Sequence, residues 1–186
     1  PAPGNTIRPP KQKLSSRQGD RDLRSSIIDF LPAGARLVST AGTEAISEID
    51  IEGNVERYIL VTYKKGENPG EIGALLLKSK TGGLEKVWEE RGFGYDLDYL
   101  DFIDITGDGR PEILIGGNIG TSAGNGLSIF SWHDRTLKKI AVMGYHKIEV
   151  EDMPGRYGLD GKAEVALWQK DTGDFFSVEV VRWTDS

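Results

Sequence analysis

The chain has 186 residues, no cysteine and a formal net charge of −6. It therefore has no disulfide, thiolate metal site or cysteine nucleophile, and no run of eighteen apolar residues is present to span a membrane as a helix. The length suits one domain with a real core or a short repeat array, and 24 glycines and 8 prolines with no long helical period point to a mainly β fold.

Charge is unevenly distributed. The first 24 residues carry Arg8, Lys11, Lys13, Arg17, Arg21 and Arg24 against Asp20 and Asp22, so the acidic excess belongs to the rest of the chain. An acidic body argues against nucleic acid as a partner, because phosphate binding needs the opposite sign. Residues 1–19 are rich in proline and poor in apolar side chains, and they read as a flexible basic stalk. Such a stalk suits a lipid-anchored domain held near an anionic membrane surface. A start at Pro1 rather than Met suggests a processed product, with any signal peptide upstream.

Residues 20–186 are expected to form a single β-repeat domain. Asp20 or Asp22 caps a short helix through Ile27, Ile28 and Phe30, which Pro32 and Gly34 end, and it is the one helix expected. Ala35 to Thr40 then reads as a strand. Beyond it the sequence repeats, in units of roughly 36–90, 91–143 and 144–186. Asp50 to Val61 aligns with Asp104 to Ile115 at an offset of 54, and Asp160 to Leu167 aligns with Asp108 to Ile115 at an offset of 52. A period of this size belongs to units that cannot bury their own faces alone. Each unit reads as four short antiparallel strands, the third lacking its fourth. Arg36 to Thr40 is the expected donor of that missing strand, which would also protect an exposed edge.

The central unit holds the stretch Asp104-Ile105-Thr106-Gly107-Asp108-Gly109-Arg110-Pro111-Glu112. Side-chain oxygens fall at positions 1, 3, 5 and 9 with glycine at 4 and 6, so a tight turn can fold several oxygens around one hard cation. Calcium is the natural candidate, since it accepts carboxylate, hydroxyl, carbonyl and water oxygens. The loop is not an EF-hand, because position 12 is Ile115 and both flanks read as strands. The simpler alternative is a surface turn rich in the Asp and Gly that turns favour anyway. The first loop keeps Asp50, Glu52 and Asn54 but has Tyr58 in place of the closing carboxylate, which makes it at most a weak second metal loop. The third has Asp160 and Glu164, with Asp152 placed to compensate across an insertion.

The strand-loop-strand setting with D-x-T-x-D-G-x-x-E spacing resembles the calcium loops of FG-GAP and VCBS repeats, the blades of integrin-alpha-type β-propellers. The resemblance implies Asp104, Thr106, Asp108 and Glu112 as side-chain ligands and the Arg110 carbonyl as a fifth. The family more often carries Asp or Asn at position 3 and Asp at position 9. Phe30-Leu31-Pro32-Ala33-Gly34-Ala35, Gly92 to Tyr99, Asn125-Gly126-Leu127 and Asp160 to Glu164 are similar to exported VCBS-type lipoproteins of Gram-positive, spore-forming bacteria. That likeness implies a propeller-type repeat fold and a cell-surface location and brings no established activity with it; three units where propellers typically need at least four blades point to an open or incomplete propeller.

Catalytic constellations are sparse. His133 and His146 lack a serine in a nucleophile-elbow context. The run Gly116 to Gly126 lacks the ending of a phosphate loop and reads as a flexible connection between strands. Asp96, Asp98 and Asp101 are the better catalytic candidates, as alternation puts Asp96 and Asp98 on one face nearly 7 Å apart. Tyr95, Asp96, Asp98 and Trp132 form a candidate ligand surface for a protein or a cell-wall glycan, although Trp132 and Trp183 occupy equivalent repeat positions, as expected of packing between units. The reading that results is an extracytoplasmic, calcium-binding β-repeat module without catalysis. The alternatives are an envelope carbohydrate-active enzyme and a subunit that completes its array as a homodimer.

Overall fold

A computed structural model of the chain describes residues 17–53, 56–67, 69–120, 123–156, 158–170 and 175–184. Among the described residues one helix, α1 (Arg17–Ile28), precedes twelve strands in three antiparallel sheets. The first sheet contains β1 (Ala35–Leu37), β2 (Ile46–Ile49), β3 (Tyr58–Lys65), β4 (Glu71–Lys80) and β5 (Gly83–Arg91). The second contains β6 (Asp96–Ile103), β7 (Glu112–Gly120), β8 (Gly124–His133) and β9 (Thr136–Tyr145). The third contains β10 (Lys147–Glu151), β11 (Glu164–Lys170) and β12 (Phe176–Val181) and stops at three strands.

Strand alternation distributes the side chains between faces and makes the sheets stack as layers. Tyr58, Leu60, Ile72, Ala74 and Leu76 on one face of the first sheet pack against Leu100, Ile113, Ile115, Phe130 and Trp132 of the second. The intervening residues Leu114, Leu127 and Ile129 face the other way and meet Val150, Val165 and Leu167 of the third sheet. The remaining face of the first sheet, with Ile59, Val61, Tyr63, Leu75 and Leu77, is covered by Leu23, Ile27, Phe30 and Leu31. The order of layers is helix, first sheet, second sheet, third sheet, and among the described residues no barrel closes.

The helix begins at Arg17, a turn upstream of the expected caps Asp20 and Asp22. It ends as expected: Phe30 and Leu31 donate back to the Ile27 and Ile28 carbonyls, and Gly34 follows with φ +75°. The strand at Arg36 does not complete the third sheet. Ala35, Arg36 and Leu37 pair with Lys65, Lys64 and Tyr63 of β3, extending the edge that β2 begins. Seated directly after the helix on the first sheet, β1 lies two layers from β12. The glycine-rich run is also strand rather than loop, because β7 continues to Gly120 and β8 restarts at Gly124. Glycine is required there by close approach: a Cβ on Gly117 would lie 1.7 Å from the Phe93 carbonyl oxygen, and one on Gly116 would lie 2.2 Å from the Tyr145 hydroxyl.

Candidate metal loop and its counterparts

The expected metal loop connects β6 to β7, and its counterparts connect β2 to β3 and β10 to β11. All three are built on a carboxylate at the loop's first residue that accepts backbone N–H groups further along. Asp104 Oδ1 accepts from Gly107 N at 2.6 Å and Oδ2 from Gly109 N at 2.8 Å. Asp50 Oδ1 accepts from Gly53 N at 2.7 Å. Asp152 Oδ2 accepts from Gly161 N at 2.9 Å, so Asp152 takes the role of Asp104 across the longer third loop. Gly107 and Gly109 both sit at φ +81°, where any other residue would be strained.

The last position of the loop is the first residue of the next strand, and there the three differ. Glu112 is 1% exposed. Its Oε2 accepts the N–H groups of Ile105 and Thr106 at 2.9 and 3.1 Å, and its Oε1 accepts the hydroxyls of Thr106 and Ser131 at 3.3 and 2.9 Å. Glu164 is equally buried, and its Oε2 accepts from Met153 N at 2.7 Å. Its Oε1, however, accepts both Nε and Nη2 of Arg182 at 2.5 Å. Ser131 and Arg182 hold equivalent places, because Ile113 pairs with Phe130 and Val165 with Val181, one step inward from each glutamate. The third loop thus carries a guanidinium where the second carries a hydroxyl. In the first loop Tyr58 replaces the glutamate altogether, and its ring packs edge-on against Trp132.

The difference has an electrostatic consequence. Burial pushes the Glu112 carboxyl above its ordinary range, and the Ile105 and Thr106 amides only partly offset this. Neither Glu112 nor Asp104 has an ion-pair partner among the described residues. Asp108 behaves in the opposite way: burial raises its pKa, but Arg110 outweighs burial and the carboxyl lies below its ordinary range. Asp108 Oδ1 accepts Arg110 N at 2.9 Å while Oδ2 accepts the guanidinium, so this carboxylate faces Arg110. Among the described residues no three acidic or histidine side chains are grouped to hold a metal ion. Calcium does not require three, since hydroxyl, carbonyl and water oxygens complete its shell. Asp104, Glu112 and Thr106 bring together carboxylate and hydroxyl oxygens of the types such a cation takes, and the Glu112 carboxylate is met by neutral donors alone among the described residues. In the weaker first loop Asp50 supports the turn, Glu52 accepts the Trp132 indole N–H at 2.9 Å, and Asn54 lies outside the described residues.

The candidate ligand surface lies at the opposite end of β6. Asp96 pairs with Lys64 at 2.5 Å. Asp98 accepts from the Tyr145 hydroxyl at 2.6 Å and from Asn125 Nδ2 at 3.1 Å, and Asn125 Oδ1 accepts from Asn118 Nδ2 at 3.2 Å. The strand does not alternate regularly here: Leu97 pairs with Gly117 and Tyr99 with Gly116, which leaves Asp98 as a bulge residue. The bulge overturns the simple placement of Asp96 and Asp98 as neighbours on one face, and the two carboxylates serve separate networks. Asp101 accepts from the Tyr99 hydroxyl at 3.1 Å. Tyr95 is exposed, whereas Trp132 is buried and packs between sheets. His146 Nδ1 accepts from Lys170 N at 3.1 Å, a structural role. Sequence reasoning missed Asn118, Asn125, Tyr145 and Arg182, whose importance depends on pairings across strands. No protein-family model matches the chain, and neither does any curated protein or solved structure.

Proposed function

We propose that the protein is an extracytoplasmic, non-catalytic interaction module whose β6–β7 loop takes one calcium ion, and whose loops contact a protein or a cell-wall glycan. The observation that carries the calcium reading is the contrast between Glu112 and Glu164: two equally buried carboxylates at equivalent places, of which only Glu164 has a cation, from Arg182. A buried carboxylate is costly until a positive charge compensates it, and a divalent ion would supply that charge where the glutamate has no arginine partner. Asp104, Thr106, Glu112 and the Arg110 carbonyl would hold the ion, with Asp108 joining them on leaving Arg110. Bound calcium contributes charge neutralisation and cross-links the end of β6 to the start of β7.

The non-catalytic reading rests on the acidic candidates. Asp96, Asp98 and Asp101 are each committed to a separate neighbour, Lys64, Tyr145 with Asn125, and Tyr99. The exposed Tyr95, whose backbone N–H donates to the Asn118 carbonyl, supplies aromatic chemistry of the kind that glycan or protein contacts use. The test is thermal unfolding of chelator-treated protein with and without millimolar calcium, for the native chain and Glu112→Gln. The native chain gains about 2.7 kcal/mol at a hundredfold excess of ion over its dissociation constant, and Glu112→Gln loses most of that gain. An equal response in both proteins, or none in either, removes calcium from the account.

A further inference from the structure

The outer edges of the three sheets are protected unequally. β5, the last strand of the first sheet, carries Glu85, Lys86, Glu89, Glu90 and Arg91, and its pairing with β4 is interrupted by a bulge near Leu76. β9, the last strand of the second sheet, carries Lys138 and Lys139, and its pairing with β8 shifts register at Ile129. Charges and bulges are the usual devices that stop an edge from adding a further strand. β12 has neither. Its sequence Phe176-Ser177-Val178-Glu179-Val180-Val181 contains one charge, and it pairs with β11 in unbroken register. Phe176, Val178 and Val180 alternate onto one face and are 54%, 51% and 53% exposed.

We propose that β12 is a homodimerisation edge, which pairs antiparallel with β12 of a second copy about a two-fold axis at Val178. Two features of the molecule select a second copy. Helix α1 covers the outer face of the first sheet, so copies cannot stack head to tail from that end. The strand is also complementary to itself in one register. Opposite residues in an antiparallel pair point to the same face, so only registers that keep each residue's face are allowed. Centring on Val178 sets Phe176 against Val180 of the partner and Val178 against itself on one face, and Ser177 against Glu179 on the other. Every apolar residue then meets an apolar one, and the carboxylate meets a hydroxyl. Centring on Glu179 instead sets two carboxylates directly opposite each other, which is destabilising. In the dimer the partner strand occupies the place that β5 and β9 fill in the complete sheets.

The experiment uses the absence of cysteine in the native chain. At the two-fold axis the Val178 Cα atoms of the two copies stand about 4.5–5.5 Å apart, within disulfide reach. Light scattering after size exclusion should give twice the chain mass for the native protein. Val178→Lys, which puts two like charges on the axis at a half-exposed site, should halve that mass and keep the far-UV spectrum. Under mild oxidation Val178→Cys should cross-link in high yield, while Glu179→Cys should not. A monomeric native protein, a dimer that survives Val178→Lys, or equal cross-linking at 178 and 179 overturns the proposal.

Discussion

Replacing Arg182 with alanine isolates the interaction that distinguishes the third loop from the second. The Glu164 side chain is 2% exposed, and Arg182 supplies two of its donors while Met153 N supplies the other. After truncation Oε1 keeps a negative charge with no partner in a buried position. Breaking a buried ion pair costs about 3–5 kcal/mol. The Arg182 side chain is itself 44% exposed, so water reaches the vacated space and the expected loss is smaller, about 1–3 kcal/mol. Urea unfolding at neutral pH with chelator present measures it as a shift in midpoint at constant slope. The double variant Arg182→Ala with Glu164→Gln removes the orphaned charge and should recover part of the loss, a coupling that the mutant cycle reads directly. A single variant as stable as the native chain, or a double variant with the two losses simply added, would refute the claim that Glu164 depends on Arg182.

Further outcomes follow from the same geometry. Because the Glu112 carboxyl is raised in the folded state, it takes up a proton more readily there than in the unfolded chain, so its contribution to stability falls as pH rises through its folded pKa. Glu112→Gln without calcium should therefore gain on the native chain between acid and neutral pH in urea titrations; a difference that does not vary with pH would contradict this. Gly117→Ala drives a methyl group into the Phe93 carbonyl, whose oxygen would lie 1.7 Å away, and since backbone must move the expected loss of unfolding free energy is about 1–3 kcal/mol; an unchanged melting temperature would show that the approach is not needed. Tyr145→Phe removes the hydroxyl bonded to Asp98 and should cost about 1 kcal/mol, and no measurable change would make that network incidental.

The repeat was legible because its loops reuse one local device. An aspartate at the loop's start and a glycine three or five residues on are visible in the first two loops, at Asp50 and Asp104, and Asp152 reaches the equivalent Gly161 across nine residues. The insertion in the third loop did not hide this, since Asp160, Gly161 and Glu164 keep their spacing. The three sheets and the missing last strand were legible for the same reason. What the sequence concealed depends on long-range pairing. The first strand's preference for β3 over β12 is decided by where α1 packs, and nothing within Arg36 to Thr40 encodes that. The bulge at Asp98 follows from Gly116 and Gly117 accommodating Phe93 and Tyr145, a contact between distant parts of the chain. Arg182 lies 18 residues from Glu164, and only the register of β11 with β12 brings them together.

Counting bound ions most directly tests whether calcium goes to the loop whose buried glutamate has no arginine. Equilibrium dialysis of chelator-treated protein against calcium, beside Asp104→Asn and Asp152→Asn, gives the number per chain and assigns it to a loop. One ion is expected for the native chain, none for Asp104→Asn and one for Asp152→Asn. No bound ion in the native chain, or binding lost with Asp152 rather than with Asp104, would contradict it.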